Sequence, residues 1–359
     1  MEHIGLVGLP NSGKTSLFNA LTGREAPVAP HPFTTTETSV GVAVLPDHRL
    51  EALAEMSKSR KVVRAGVEVV DIAGLVAGSS TGEGLGNRFL GGIREVDALA
   101  LVVRAFEDPQ IIGDSDPLAS FQTLELELVL ADVASLESQV ERRRRAAKAD
   151  KALQGEVRAM DDALAVLQDG VPLYRSAKFD EESRSQRRGL FLLTDKPVLA
   201  VVNVGEDQLE QADELIKPIR DELAGHGEVL AACAQLEAEA AQLSDDERAE
   251  MSEALGLGEG ALARVARSAY HLLGLRTFFT TGDKESRAWS FRAGSTAPEC
   301  AGVIHSDLQR GFIRAEVIYW EELLHIGSWT AAKAAGKIRV EGSQYVVEDG
   351  DVLEIRFNV

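Results

Sequence analysis

The amino-terminal part of the chain contains the segment Gly8-Leu9-Pro10-Asn11-Ser12-Gly13-Lys14-Thr15, in which two glycines flank four residues and precede a lysine and a threonine. An apolar run at residues 3–8 leads into the segment, and a helical pattern opens at Thr15–Leu21. A G-x-x-x-x-G-K-[ST] motif between a strand and a helix predicts a P-loop, whose inward-pointing N–H groups and helix N-terminus bind phosphate. Lys14 then reaches the β- and γ-phosphates, and Thr15 offers its hydroxyl to Mg²⁺.

A second motif, Asp71-Ile72-Ala73-Gly74, ends the apolar strand pattern at Val67–Ile72. At this place in a P-loop fold, Asp71 holds the magnesium shell through water, and the Gly74 N–H contacts the γ-phosphate. The next residue is Leu75, where many GTPases place a glutamine that orients the attacking water. Leucine cannot do so, and we expect slow hydrolysis assisted by backbone, metal, a monovalent cation or a partner.

Two further residues are candidates for binding ions. The loop at residues 26–41 contains Thr34-Thr35-Thr36, and a loop that senses the γ-phosphate needs a threonine able to reach Mg²⁺. We choose Thr35 for that role. Asn11 either helps to seat a potassium ion or fixes the P-loop by a hydrogen bond.

Asn203-Val204-Gly205-Glu206 follows another apolar strand pattern, where guanine-specific proteins carry N-K-x-D. Val204 removes the lysine that covers the base, and Glu206 is one methylene too long for the bidentate aspartate contact to guanine. Adenine has no N1–H to offer a carboxylate. The sequence therefore favours adenine as an acceptable base, with an ordinary turn as the alternative interpretation.

The strand and helix patterns predict an α/β fold with an inserted helical hairpin and a small α+β domain. Strands alternating with helices predict a parallel sheet. Two apolar stripes of heptad type predict an antiparallel hairpin with its tip near residues 146–151. They are Leu126, Leu130, Val133, Leu136, Val140 and Leu153, Val157, Met160, Leu164, Leu167. The expected domains are an NTPase domain at 1–121 and 197–275, a helical domain at 122–196, and a third domain at 276–359.

Composition limits the classes of protein to consider. The 359 residues carry a net charge of −19, which argues against nonspecific coating of nucleic acid or acidic membranes. No apolar run approaches the ~18 residues that span a bilayer, and no signal peptide is visible. The two cysteines, Cys233 and Cys300, suit a reducing compartment, so we expect a cytoplasmic protein without membrane association.

Taken together, these motifs resemble the YchF (Obg-like ATPase) family of P-loop NTPases. The similarity extends over nearly the whole chain, through Pro32-Phe33-Thr34-Thr35 and the segment from Asp71 to Arg94. Its carboxy-terminal part, from Thr277-Phe-Phe-Thr to Arg356-Phe-Asn-Val, looks like the family's TGS domain, a β-grasp module. Two departures are Thr15-Ser16 in place of Ser-Thr, and Thr38-Ser39 where Pro-Asn is expected.

The resemblance implies a Ras-like domain with an inserted antiparallel coiled coil, hydrolysis of ATP, with ATP preferred over GTP or at least accepted, and association with ribosomes. It also implies roles for particular residues. Thr15 and Thr35 would be the side-chain ligands of Mg²⁺, and Leu75 matches the family's hydrophobic replacement of glutamine. Asn203 would contact the base, and a fifth loop at Ala232-Cys233-Ala234 would act through its backbone. The phosphate cradle would consist of Asn11, Ser12, Gly13, Lys14, Thr15 and Ser16.

Partners and alternatives remain open at this stage. The run Arg142–Arg145 near the hairpin tip either contacts ribosomal RNA, on the large subunit or the whole ribosome, or is a solvated helix face. The TGS-like domain could contact RNA or protein. Three other functions stay possible: a guanine-nucleotide switch, a P-loop kinase with a small acceptor, and a non-catalytic adaptor that nucleotide only stiffens.

Overall fold

The computed structural model describes residues 2–23, 39–72, 85–108, 111, 115–176, 187–240, 243, 247 and 260–358. The expected Mg²⁺ ligand Thr35 and the expected catalytic positions Gly74 and Leu75 lie outside these residues. Contacts within the chain define two units. The first comprises Met1–Ala43 and Glu68–Leu273, and the second comprises Val44–Val67 and Gly274–Val359.

The first unit is built on a six-stranded sheet with the order β2-β4-β1-β5-β6-β7. The strand β1 pairs in parallel with β4 and β5, and the pairs β5–β6 and β6–β7 are also parallel. Every residue of β5 and β6 is buried, so both faces of the sheet are covered, as parallel sheets require. The strands are β1 His3–Gly8, β2 Ser39–Val44, β4 Gly66–Asp71, β5 Ala98–Arg104, β6 Val198–Asn203 and β7 Gly227–Ala232.

The helices of this unit alternate with its strands, which confirms the predicted α/β class. A single apolar core joins the sheet to α3, α4 and α6, whereas α8 contacts β5, β6 and β7. The helices are α1 Lys14–Thr22, α3 Leu85–Glu95, α4 Pro117–Ala149, α5 Gln154–Gln168, α6 Ala212–Leu223, α7 Ala234–Ala240 and α8 Ala261–Leu272.

The inserted hairpin is formed by α4 and α5, joined by a 3₁₀ turn at Lys151–Leu153. This turn begins at the end of the predicted tip, 146–151, because α4 continues to Ala149. One part of the prediction was wrong, because Leu126 and Leu130 are 52% and 42% exposed. The first half of α4 packs on the sheet and buries a different stripe: Phe121, Leu124, Leu128, Ala131. Only the second half, from Val129 to Val140, packs against α5. A helix that changes its partner along its length has no single buried stripe.

The second unit contains a mixed sheet with the order β11-β10-β12-β8-β9-β3. Helices cover it on two sides through separate apolar cores, and it fits the expected β-grasp class. The strands are β3 Val62–Val63, β8 Leu275–Thr280, β9 Ser286–Arg292, β10 Phe312–Tyr319, β11 Arg339–Glu341 and β12 Asp351–Phe357. The helices are α2 His48–Ser57, α9 Ala297–Ile304, α10 Ser306–Arg310, α11 Trp320–Ile326 and α12 Trp329–Ala334.

This division differs from the expected domain boundaries in the segment Val44–Val67, which was assigned to residues 1–121 of the NTPase domain. The strand β3 pairs with β9, and Leu50 and Leu53 of α2 are fully buried in a core with Phe279. These are pairings across more than two hundred residues, which local patterns do not reveal. Within the described segments, no helix is both long and apolar enough to cross a bilayer.

Candidate nucleotide site

The predicted site residues gather at one edge of the parallel sheet. Gly8, Asp71, Asn203 and Ala232 are the last residues of β1, β4, β6 and β7. Because these strands run parallel, their carboxyl ends meet at the same edge, where open α/β sheets bind ligands. The structure therefore brings together residues that are more than two hundred positions apart in sequence.

Glycine is required at two positions of the P-loop for steric reasons. Gly13 has φ +80°, and a Cβ there would lie 1.9 Å from the Asn203 Nδ2. A Cβ at Gly8 would lie 2.4 Å from the Ser12 Oγ and 2.7 Å from the Val102 carbonyl oxygen. Asn11 also adopts a left-handed conformation, with φ 62°, which asparagine tolerates better than most residues. The loop thus curls as the phosphate-binding motif demands.

Lys14 and Asp71 form a buried ion pair at the P-loop, and the half-buried Thr15 completes a polar cluster with them. The Lys14 ammonium donates a hydrogen bond to the Asp71 carboxylate, and the Thr15 hydroxyl donates to the other carboxylate oxygen at 3.0 Å. The side chains of Lys14 and Asp71 are only 6% and 3% exposed. Pairing compensates both buried charges and holds the lysine at the start of α1, where the helix N-terminus attracts an anion.

The same cluster fits a magnesium ion. Mg²⁺ takes hard oxygen ligands and keeps several waters when it bridges a protein to phosphates. The Thr15 hydroxyl and the Asp71 carboxylate are adjacent oxygen groups of that kind. In the described part of the chain no group of three or more His, Cys, Asp or Glu side chains forms a metal site, so a dedicated protein cage is not the arrangement found there.

Asn203 braces the P-loop against the loop that follows β7. Its Nδ2 donates to the Ser12 carbonyl at 3.1 Å, and its Oδ1 accepts from the Ala234 N–H at 3.0 Å. The residue is 5% exposed. The amide thus links three strand ends.

The other residues of the altered base motif differ in burial, with Val204 in the core and Glu206 exposed. Val204 is 1% exposed and belongs to the apolar core, so it supplies no stem over a base. Glu206 is exposed at the first position of a 3₁₀ turn, Glu206–Gln211. Ala232 is buried, and its carbonyl accepts from the Val204 N–H at 3.0 Å. The Ser16 side chain, predicted to join the phosphate cradle, is half-buried in the first turn of α1.

Sequence reasoning missed two residues at this edge. Gln208 accepts from the Gly205 N–H at 2.9 Å and donates to the Ala105 carbonyl at 3.0 Å, which ties the 205–208 turn to the end of β5. The Phe106 ring lies 3.7 Å from the place that a Cβ on Gly13 would occupy. An aromatic residue two positions after a strand that neighbours the P-loop strand was the available signal for Phe106.

Comparisons with known proteins agree with this geometry. Residues 275–358 match the C-terminal YchF-GTPase family, described as a protein of unknown function. Residues 3–129 match a family described as a 50S ribosome-binding GTPase. The "Ribosome-binding ATPase YchF" of Bacillus subtilis is 46% identical over 362 residues, 99% of each chain. The protein of the same name from Escherichia coli O157:H7 is 43% identical over 360 residues, again 99% of each chain.

A solved structure, described as the Schizosaccharomyces pombe YchF GTPase, superimposes with a TM-score of 0.86 at 32% identity. It covers 99% of this chain and 97% of its own. Identity at this level over the full length of both chains leaves one conclusion about kinship. The chain belongs to the YchF family.

Proposed function

We propose that this chain is a ribosome-binding ATPase. The observation that carries the proposal is the Lys14–Asp71–Thr15 cluster, with its buried ion pair, in a curled P-loop at the carboxyl edge of a parallel sheet. Lys14 lies where it can stabilise negative charge that develops on a transferred phosphoryl group. Bound Mg²⁺ would neutralise phosphate charge, with Thr15, Asp71 and, from sequence, Thr35 around it. Asn11 is our candidate for seating a potassium ion.

ATP is the proposed nucleotide because the guanine-specifying groups are altered. Val204 is turned into the core, and the exposed Glu206 replaces the aspartate that would pair with guanine. The Asn203 amide bonds to the Ser12 carbonyl and the Ala234 N–H, so Asn203 braces the P-loop, and a contact of Asn203 with the base stays part of the proposal. The names of the relatives disagree about the nucleotide, since the bacterial proteins are called ATPases and the Schizosaccharomyces pombe protein is called a GTPase.

Slow turnover is the expected kinetic behaviour, because Leu75 occupies the position of the water-orienting glutamine. Hydrolysis then depends on groups that a partner or an ion supplies. This makes the ribosome, named in the bacterial relatives, a suitable activator. We expect the protein to act in the cytoplasm, where ribosomes and ATP are both abundant.

The tip of the hairpin is the proposed contact with ribosomal RNA, on the large subunit or the whole ribosome. Between Glu141 and Asp162 there are seven basic and five acidic side chains, a local charge of +2 in a chain of −19. Arg143 and Arg144 are held by acidic side chains of the hairpin at 3.0 Å and 2.7 Å. The exposed cations Arg142, Arg145 and Lys148 project beside them and suit phosphate contacts.

Competition binding tests the nucleotide. ATP and GTP each displace a fluorescent ATP analogue in the presence of Mg²⁺, and we expect ATP to be at least about tenfold more effective. Lys14→Ala should weaken analogue binding at least about a hundredfold, the effect of losing a charged contact worth ~3 kcal/mol. The control is Lys217→Ala on the exposed face of α6, which should bind normally. Stronger displacement by GTP would favour the guanine-nucleotide switch instead.

Phosphate release with and without ribosomes tests the enzyme and its partner. We expect slow release alone and faster release with ribosomes, whereas a non-catalytic adaptor would release none in either case. Reversing two tip charges, Arg142→Glu and Arg145→Glu, should weaken cosedimentation with ribosomes about tenfold and leave basal release unchanged. Normal cosedimentation of that double variant would place the ribosome contact elsewhere on the chain.

A further inference from the structure

Lys196 lies between β6 and the inserted hairpin, yet its side chain binds a helix that comes one hundred residues earlier in the chain. Its Nζ donates to the Arg94 carbonyl at 3.2 Å and also to the Val96 carbonyl. Arg94 lies in the last turn of α3, which runs from Leu85 to Glu95, and Val96 is the first residue after the helix. A lysine at this position satisfies carbonyls that have no partner inside the helix and interacts favourably with the negative end of its dipole.

The helix α3 also packs against Ile72, the residue next to Asp71 of the Lys14–Asp71–Thr15 cluster. A Cβ at Gly92 would lie 3.4 Å from the Ile72 Cγ2, so the helix rests directly on the residue that follows Asp71. Ile93 and Ile72 are 0% and 1% exposed members of one apolar core. Because packed interiors transmit displacement, we expect a shift of Asp71, whose carboxylate binds Lys14 and Thr15, to reach α3 through Ile72.

Leu193 and Thr194, which come just before Lys196 in the chain, are hydrogen-bonded to the inserted hairpin. Asp132 of α4 accepts hydrogen bonds from the Leu193 N–H at 2.9 Å, the Thr194 N–H at 2.8 Å and the Thr194 hydroxyl at 2.7 Å. Asp132 and Thr194 are 1% and 0% exposed. Lys196 is two residues from Thr194, so one short segment joins α3 to the base of the hairpin.

We propose that Lys196 is a positioning residue of the ATPase site, which ties α3 behind the phosphate cluster to Asp132 of the hairpin so that the two respond together. The proposal rests on the proposed ATPase function. Lys196 itself touches no residue of the P-loop cluster in the contacts described above. It acts on hydrolysis through α3, and it gives a partner bound to the hairpin a route to the nucleotide site.

Turnover kinetics test the positioning role. Lys196→Met removes the cation and keeps most of the stem, Lys196→Arg keeps the cation, and Lys217→Met on α6 is the matched surface control. We expect Lys196→Met to lower kcat at least about threefold with KM and analogue affinity changed less than twofold, and Lys196→Arg to restore kcat. An unchanged kcat in Lys196→Met, or an equal loss in both Lys196 variants, would overturn the role of the cation.

Hydrogen exchange tests the tie to the hairpin. A non-hydrolysable ATP analogue with Mg²⁺ should slow exchange in the P-loop peptide and also change exchange at the Leu193 and Thr194 amides. In Lys196→Met the P-loop response should remain and the response at 193–194 should disappear. A retained response at 193–194, or none there in the unmodified protein, would overturn the coupling alone. Missing protection of the P-loop would instead refute nucleotide binding and the proposed function. Should Lys196→Met fail to fold, Lys196→Gln serves in both assays.

Discussion

Replacing Asp132 by alanine should be among the most destabilising single changes in the first unit. The carboxylate is 1% exposed and accepts three hydrogen bonds, two from backbone N–H groups and one from the Thr194 hydroxyl. Burial raises the pKa of Asp132 from 3.8 to about 6, so the group is ionised in the folded protein near neutral pH.

The size of the effect follows from what the substitution leaves behind. Alanine removes all three acceptor contacts and strands two buried N–H groups, each of which costs about 1–3 kcal/mol without a partner. Relief of the buried charge offsets part of that loss, and breaking one side of a buried charged interaction typically costs about 3–5 kcal/mol. We therefore expect the free energy of unfolding to fall by about 3–5 kcal/mol.

Urea unfolding followed by far-ultraviolet circular dichroism measures this change, because α4, which carries Asp132, is a helix of 33 residues and contributes strongly to the helical signal. All three tryptophans, Trp289, Trp320 and Trp329, lie in the second unit, so their fluorescence reports on that unit instead. The control is Asp161→Ala, which removes an exposed partner of Arg144 and should cost less than about 1 kcal/mol. A loss below about 1 kcal/mol for Asp132→Ala would refute the reasoning.

Three further outcomes are expected. Gly13→Ala should abolish binding of an ATP analogue in calorimetry, since a Cβ at 1.9 Å from Asn203 breaks the brace; retained affinity would contradict that geometry. Ser12→Ala should change the free energy of unfolding of the nucleotide-free protein by less than about 1 kcal/mol in urea unfolding, because the buried Ser12 hydroxyl has no hydrogen-bond partner among the described residues; a loss above about 2 kcal/mol would contradict this. Hydrogen bonds to Arg356 and Lys333 lower the pKa of Glu316 from 4.5, so its stabilisation is present above pH ~4.5 and is lost as pH falls through the lower folded pKa. Glu316→Gln should lower the free energy of unfolding by about 1–2 kcal/mol at neutral pH and differ little from the unmodified protein in acid. Urea unfolding followed by tryptophan fluorescence of the second unit measures both values. An equal loss at both pH values would contradict the idea.

Local pattern was sufficient for much of the fold and part of the site. The strand at residues 3–8, the P-loop and the helix after it are contiguous, so spacing alone predicts how Lys14 and Thr15 follow a glycine-hinged turn. The hairpin tip was equally readable, because the apolar period of each helix breaks there. The P-loop part of the candidate site is thus encoded within a short segment of chain, whereas its partner Asp71 lies 57 positions from Lys14.

Local sequence patterns could not predict the long-range contacts. Asn203 reaches Ser12 across 191 positions, and Lys196 reaches Arg94 across 102. The segment Val44–Val67 adds β3 to a sheet made mostly from the carboxy-terminal residues. Leu126 is exposed because the first half of α4 turns another face to the sheet. Periodicity reports that a residue is apolar or polar but not which distant surface it meets, and these contacts exist only once the whole chain has folded.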